Sequence, residues 1–194
     1  LNSGHRIVGS KPWINELGLE RGGDSHETYN AGHLYEAAVA HFHATGKRAL
    51  LDVAIRHADH VADTFRPGGL DIPTGCQEIE LALVKLHRVT GNPRYLETSR
   101  YLLDLRGSPR HQQPPGSRFT AEYFSNHKPV AEQREATGHA VRSTYMYSAM
   151  ADIAALTGDA AYRAAVDALW DSIAHRKMAL TGGIGAHHAT EGFG

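Results

Sequence analysis

The sequence predicts an all-α protein assembled from helical hairpins, and three observations predict it. Long stretches carry apolar side chains at three-and-four spacing without internal proline. Each is stopped by the same dipeptide, at Thr45-Gly46, Thr90-Gly91 and Thr157-Gly158, and a glycine just past the last turn is the common helix stop. Each also follows a glycine paired with a polar or thiol side chain, Gly32-His33, Gly75-Cys76 or Gly138-His139, and a second helical stretch begins soon after the stop. The first two stops lie 45 residues apart and the third lies 67 further on, with the excess in a proline-rich loop. A period near 45 built of helix, tight turn and helix is the mark of an array of α-hairpins.

In chain order, residues 1–30 hold five glycines and a proline with no sustained period, so they read as an irregular opening segment. From Ala31 the stretch GHLYEAAVAHFHAT is helical up to Gly46, and KRALLDVAIRHADHVADTF forms its partner, ended by Pro67-Gly68-Gly69. The loop LDIPTG leads into CQEIELALVKLHRVT, and after Gly91-Asn92-Pro93 comes RYLETSRYLLDLRG. Residues 108–126, with three prolines, form the longest irregular segment; loops of that length in a compact domain are commonly functional. GHAVRSTYMYSAMADIAALTG then reads as one helix with Val141, Tyr145, Ile153 and Leu156 on its apolar stripe. AAYRAAVDALWDSIAHR runs back, and the glycine-rich TGGIGAHHATEGFG follows. An antiparallel hairpin returns the end of its second helix to the level where the first began, which puts His139 and Glu191 at the same end.

Composition removes several classes. The chain has 194 residues, 41% hydrophobic and 21% charged, enough for one globular domain that buries roughly 70% of its unfolded surface. No stretch approaches the roughly 20 apolar residues of a membrane span, and no charged-then-apolar leader opens the sequence, so a soluble, cytoplasmic protein with no membrane partner is expected. Twenty Lys and Arg are scattered against 21 Asp and Glu for a net charge of -1, which is not the footprint of a nucleic-acid binder. The single cysteine, Cys76, cannot form an internal disulfide or a thiolate cage for a metal. An oligomer of like chains is left open.

The first helix of each pair is the richer in alanine and suits an inner position, while the second alternates charge and bulk and suits an outer one. Hairpin arrays close into rings or stay open as solenoids. A ring is favoured because the Gly-His and Gly-Cys dipeptides fall at one end of the inner helices, where their side chains would converge on a common mouth. A neutral imidazole offers one donor and one acceptor, a good match to sugar hydroxyls, and the positive end of a helix disfavours protonating it.

The segments YNAGHLYEAAVAHFHATGK, GCQEIELALVKLHRVTGNPRYL, NHKPVAEQREATGHAVRSTYMYSAMADIAALTGD and LTGGIGAHHATEGFG, in that order, resemble the catalytic domain of glycoside hydrolase family 127, bacterial β-L-arabinofuranosidases. The resemblance implies an (α/α)6 toroid of the six-hairpin glycosidase type, of which this chain would supply about half, 1–194 being a partial catalytic domain without activity on its own. It implies that Glu191 is the general acid/base and that His139 and His33 contact the sugar. Cys76 stands where the family usually has a further sugar-binding histidine. The reaction implied is retaining hydrolysis of terminal β-L-arabinofuranosides, with a cysteine thiolate in place of the second carboxylate of the usual pair. The resemblance further implies zinc, held by a Glu-Thr-Cys motif and a later cysteine pair beyond Gly194, and no metal held within this segment. A sugar epimerase on the same toroid, using His139 and His33 as acid and base, and a non-catalytic helical-repeat binding module are the alternatives.

Overall fold

A computed structural model of the chain describes residues 26–111 and 119–194. The opening segment up to residue 25 and the middle of the proline-rich loop, 112–118, lie outside the described residues. Six α-helices are present among those described: α1 (Glu27–Thr45), α2 (Ala49–Thr64), α3 (Glu78–Thr90), α4 (Pro93–Asp104), α5 (Ala140–Thr157) and α6 (Ala160–Ser172). The β-structure among them is limited to two isolated bridges. The chain divides into two compact units, the first ending at Leu102 and the second running from Leu103 to Gly194.

The three Thr-Gly stops are built alike. Gly46, Gly91 and Gly158 adopt left-handed φ values of 69°, 72° and 72°, a conformation that glycine takes without steric cost. The preceding Thr45, Thr90 and Thr157 each donate their hydroxyl to the carbonyl four residues back, at 2.7 Å. The same hydroxyl then accepts the backbone N–H two residues on, from Lys47, Asn92 and Asp159. The next helix starts at once: Pro93 opens α4, and the Asp159 carboxylate caps α6 by accepting from Ala161 and Tyr162 N–H at 2.9 and 3.0 Å.

In the first unit α3 is the inner helix, burying Ile79, Leu81, Ala82, Leu83, Val84 and Leu86 together with Glu78 and Glu80. α2 turns Leu51, Ala54, Ala58 and Val61 inward. Polar bridges tie the layers: Tyr35 of α1 meets His57 of α2 at 2.5 Å, Tyr95 of α4 donates to Asp59 at 2.8 Å, and Ser99 donates to the Glu80 carbonyl at 2.8 Å. In the second unit Tyr162 of α6 donates to Asp104 at 2.7 Å. The fully buried Arg106 holds the loop before α5 by donating to the Phe124 carbonyl and the Asn126 side chain.

Four expectations need correction. α1 starts at Glu27 rather than Ala31, so His33 lies in its second turn and not at its N-terminus; Gly32 is tolerated inside the helix because a neighbouring helix needs its missing side chain. α3 starts at Glu78, which leaves Cys76 in the turn before it. α6 gives way at Ser172 to a π-type turn, Ile173–Lys177, where regular helix was expected through Arg176. On α5 the buried face is Ala140, Met146, Tyr147, Ala149, Met150, Ile153 and Ala154, while Val141 and Leu156 are exposed. That helix is apolar nearly all round, so periodicity does not single out a stripe. Among the described residues no helix is long and apolar enough to cross a membrane.

Candidate active site

His139 is the N-cap of α5. Its backbone is extended (φ -71°, ψ 117°) and its Nδ1 accepts the backbone N–H of Arg142 at 3.5 Å. That bond gives Nδ1 the acceptor role and leaves the proton on Nε2. Nε2 lies 2.8 Å from Oε2 of Glu191, so the imidazole donates to the carboxylate. The side chain of His139 is 10% exposed and that of Glu191 is 74% exposed. Burial, and after it the Arg142 guanidinium, hold His139 below the usual histidine range, against the pull of Glu191. Desolvation is the main cause, so it is chiefly burial that disfavours the protonated imidazole here. Arg142 is itself buried, its guanidinium over the rings of Tyr123 and Phe124 at 5.1 and 5.2 Å, and Tyr123 packs edge-on against His139 at 5.4 Å.

Glu191 reaches this position through its backbone. Its carbonyl accepts the N–H of Ala140, the first residue of α5, at 2.9 Å, which satisfies a donor that a helix start leaves open. Phe193 N–H donates to the Gly138 carbonyl at 3.0 Å, and His187 and Gly192 exchange backbone bonds across the loop. Phe193 is buried and anchors the loop. The clip requires Gly138, whose φ is 76° and where a Cβ would stand 1.9 Å from the Glu122 carbonyl oxygen. It also holds Glu191 at φ 51°, a left-handed conformation for a residue with a side chain, at a cost of about 1 kcal/mol. Glu191 lines an open cleft of about 420 Å³ with Val141, Thr144, His187 and His188. The water-poor surround that a carboxylic acid would favour is not supplied by these residues.

His33 sits in the first unit, on α1. Its Nδ1 faces two carboxyl groups, 3.5 Å from Glu78 Oε1 and 3.8 Å from Glu36 Oε2, and its ring packs edge-on against Tyr29 at 4.4 Å. Lys85 binds the other oxygen of Glu36. Cys76 is a buried thiol in the turn before α3. The zinc ligands that the resemblance implies would lie beyond Gly194. The sequence has one cysteine, and the group of donors among the described residues that could span a metal ion, His33, Glu36 and Glu78, contains no thiolate. The structure thus joins His139 to Glu191 within the second unit, and His33 and Cys76 belong to the first.

Sequence reasoning passed over Glu78, Glu36, Lys85 and Arg142. Arg142 carried a signal, a cation in the first turn of a helix where the dipole disfavours one. Glu78 and Glu80 in the first turn of α3 carried the opposite: acidic residues there read as ordinary dipole partners.

Residues 2–194 match the profile of the β-L-arabinofuranosidase, GH127 catalytic domain. The chain is 38% identical, over 87% of its length, to the non-reducing end β-L-arabinofuranosidase of Bifidobacterium longum, and covers 28% of that protein. Among solved structures it is similar to Ara127N, a GH127 β-L-arabinofuranosidase of Geobacillus stearothermophilus, with a TM-score of 0.86 and 42% identity, over 96% of this chain and 30% of that one. It is also similar to a second GH127 β-arabinofuranosidase, with a TM-score of 0.82 and 47% identity, over 98% of this chain and 28% of that one. The chain therefore spans less than a third of the relatives it matches. The fold of these enzymes is an (α/α)6 toroid, and the helical hairpins described above are of that class. With a profile match over almost all of its residues and two close structural relatives, this chain belongs to glycoside hydrolase family 127.

Proposed function

We propose that this chain is the part of a retaining β-L-arabinofuranosidase that carries the acid/base, Glu191, and a share of the sugar-binding histidines. The observation that carries the reading is the 2.8 Å bond from His139 Nε2 to Glu191 Oε2 inside a backbone clip that keeps Glu191 in an unfavourable conformation. A strained carboxylate at a cleft, with one oxygen held by a neutral imidazole, has its other oxygen left for a reacting partner. In the first step Glu191 as the acid passes its proton to the glycosidic oxygen as the carbon–oxygen bond to the sugar breaks and the cysteine thiolate that the family resemblance implies bonds to the sugar carbon. In the second the resulting carboxylate takes a proton from the water that releases the sugar. His139 keeps the carboxyl plane oriented through both steps, and His33 contacts sugar hydroxyls. Cys76, buried before α3, is not the nucleophile.

The test uses Glu191→Gln in a chain extended to its relatives' full length. Hydrolysis of an arabinofuranoside with a poor leaving group falls by ~10²-fold or more, the usual contribution of general acid catalysis, and cleavage of an activated aryl arabinofuranoside falls much less. Equal loss on both substrates, or a loss no larger than that of the exposed control Glu97→Gln, sinks the assignment.

A further inference from the structure

Glu78 is the least expected side chain in the first unit. It is completely buried, yet neither carboxylate oxygen has a hydrogen-bond donor, an arrangement that costs several kcal/mol for an ionised group. The fold makes room for it deliberately. A Cβ on Gly32 would fall 1.4 Å from Glu78 Oε2 and 2.9 Å from Ile79 Cα, so α1 and α3 approach through the space that this glycine leaves.

The groups facing Glu78 are His33, Tyr35 and Glu36 from α1, and Glu80 and Lys85 from its own helix. Thr74 donates to Glu80 at 2.6 Å, and Lys85 is engaged by Glu36. Tyr35 is bonded to His57, so of these groups a second carboxyl and one imidazole nitrogen are left to meet Glu78. Two carboxylates facing each other are both acceptors, and such a pair is satisfied only when a proton or a cation lies between them.

We propose that Glu78 is a neutral carboxylic acid that donates its proton to Glu36, and that this pair is a positioning device for His33, turning Nδ1–H toward the carboxyls and presenting Nε2 outward as an acceptor for a sugar hydroxyl. The reading rests on His33 being a sugar contact. Burial first, and then the charge of Glu36, push the Glu78 carboxyl up to about 9, which outweighs both Lys85 and the favourable end of α3. Lys85 is then paired with Glu36, and Glu78 adds no second anion beside it. The same donor atoms of His33, Glu36 and Glu78 all lie within 4.8 Å of one another, a span that a divalent cation could also bridge. A proton is favoured because Lys85 already delivers the positive charge that Glu36 needs.

The first measurement needs no substrate. Ring ¹⁵N shifts of His33 in this chain report its tautomer, and the infrared carbonyl band of a protonated carboxyl reports Glu78. Wild type shows His33 protonated at Nδ1, Glu78→Gln keeps that tautomer because an amide is the isostere of the neutral acid, and Glu78→Ala loses it. The protonated-carboxyl band disappears in Glu78→Gln. The second measurement is kinetic, in the chain extended to its relatives' length. Glu78→Ala raises KM about fivefold to tenfold, the worth of one hydrogen bond, with kcat little changed. Glu78→Gln keeps the wild-type KM and removes its rise at alkaline pH.

Glu78→Gln behaving like Glu78→Ala, or failing to fold where wild type folds, overturns the proposal. A shift of the His33 resonances on adding Mg²⁺, Mn²⁺ or Zn²⁺ also overturns it, in favour of a cation between the carboxyls. Preference for a different sugar would remove the arabinofuranoside reading and leave the tautomer result standing.

Discussion

His139 and His33 look alike in the sequence, each following a glycine and each near an alanine-rich helix, but the two units hold them by different means. His139 is fixed by backbone: it caps α5, and the loop carrying its carboxylate partner is clipped to the same helix start. The partner, Glu191, is exposed. His33 is fixed by packing: it projects from the second turn of α1 toward Glu78, which is wholly buried by the approach of a separate helix. A mobile proton carrier at a cleft calls for the first arrangement, since its oxygen must stay open to a partner. A histidine that only orients a ligand is better served by the second.

The largest expected effect separates backbone from side-chain constraint. Gly138→Ala meets the Glu122 carbonyl at 1.9 Å in a left-handed conformation, so it combines overpacking with strain and costs about 3 kcal/mol or more. Gly32→Ala meets the buried Glu78 carboxyl at 1.4 Å and the Ile79 Cα at 2.9 Å but adds no left-handed strain, and costs about 1–3 kcal/mol. Chemical denaturation of both variants checks the order; a reversal would mean that the clip at Gly138 gives way more easily than the α1–α3 contact.

His139 and Glu78 give pH dependences of opposite sign. His139 is held below its ordinary value of 6.5 when folded, so the unfolded chain takes up the proton first. Its contribution is whole above 6.5 and is lost as the pH falls from there toward the folded value. His57 and His127, also lowered chiefly by burial, add to the same acid-side slope. Glu78 is raised from 4.5 to about 9, so its contribution is whole below 4.5 and drains away as the pH rises through 9. Denaturation midpoints followed across this range give the check: Glu78→Gln removes a loss of stability that runs from pH 4.5 up to about 9, and His139→Gln flattens part of the loss on falling below 6.5.

The smallest effect concerns Glu191 itself. Asparagine accepts the left-handed region better than glutamate, so Glu191→Asn raises stability by about 0.5–1 kcal/mol while removing the carboxylate. A melting temperature that stays put or falls would mean that the bond from His139 outweighs the backbone strain.

Much of this was readable from residue order. The Thr-Gly pairs announced three turns because a threonine hydroxyl and a left-handed glycine are local chemistry, needing no distant partner. His139 and Glu191 could be brought together on paper because a hairpin fixes where its ends return. Glu78 could not be found this way: its burial depends on α1 lying against α3, and nothing beside it in sequence distinguishes it from a solvated helix-start glutamate. Gly32 was misread for the same reason. It looked like the opening of a helix, and its actual use is the space that it leaves for a carboxyl 46 positions later. The exposed Val141 and Leu156 escaped because α5 is apolar on every side.

The Thr-Gly turns have one more property. A Cβ built on Gly46, Gly91 or Gly158 would touch nothing within 4 Å, and the bonds made by each threonine close on its own strip of chain. These joints are self-contained, like identical couplings on otherwise different rods. A fold made with such couplings can be lengthened or varied a whole hairpin at a time, by copying, without reshaping what lies on either side. In the last hairpin the coupling lies at the end of α5 opposite His139, so drift in the linkage need not disturb the end where His139 meets Glu191.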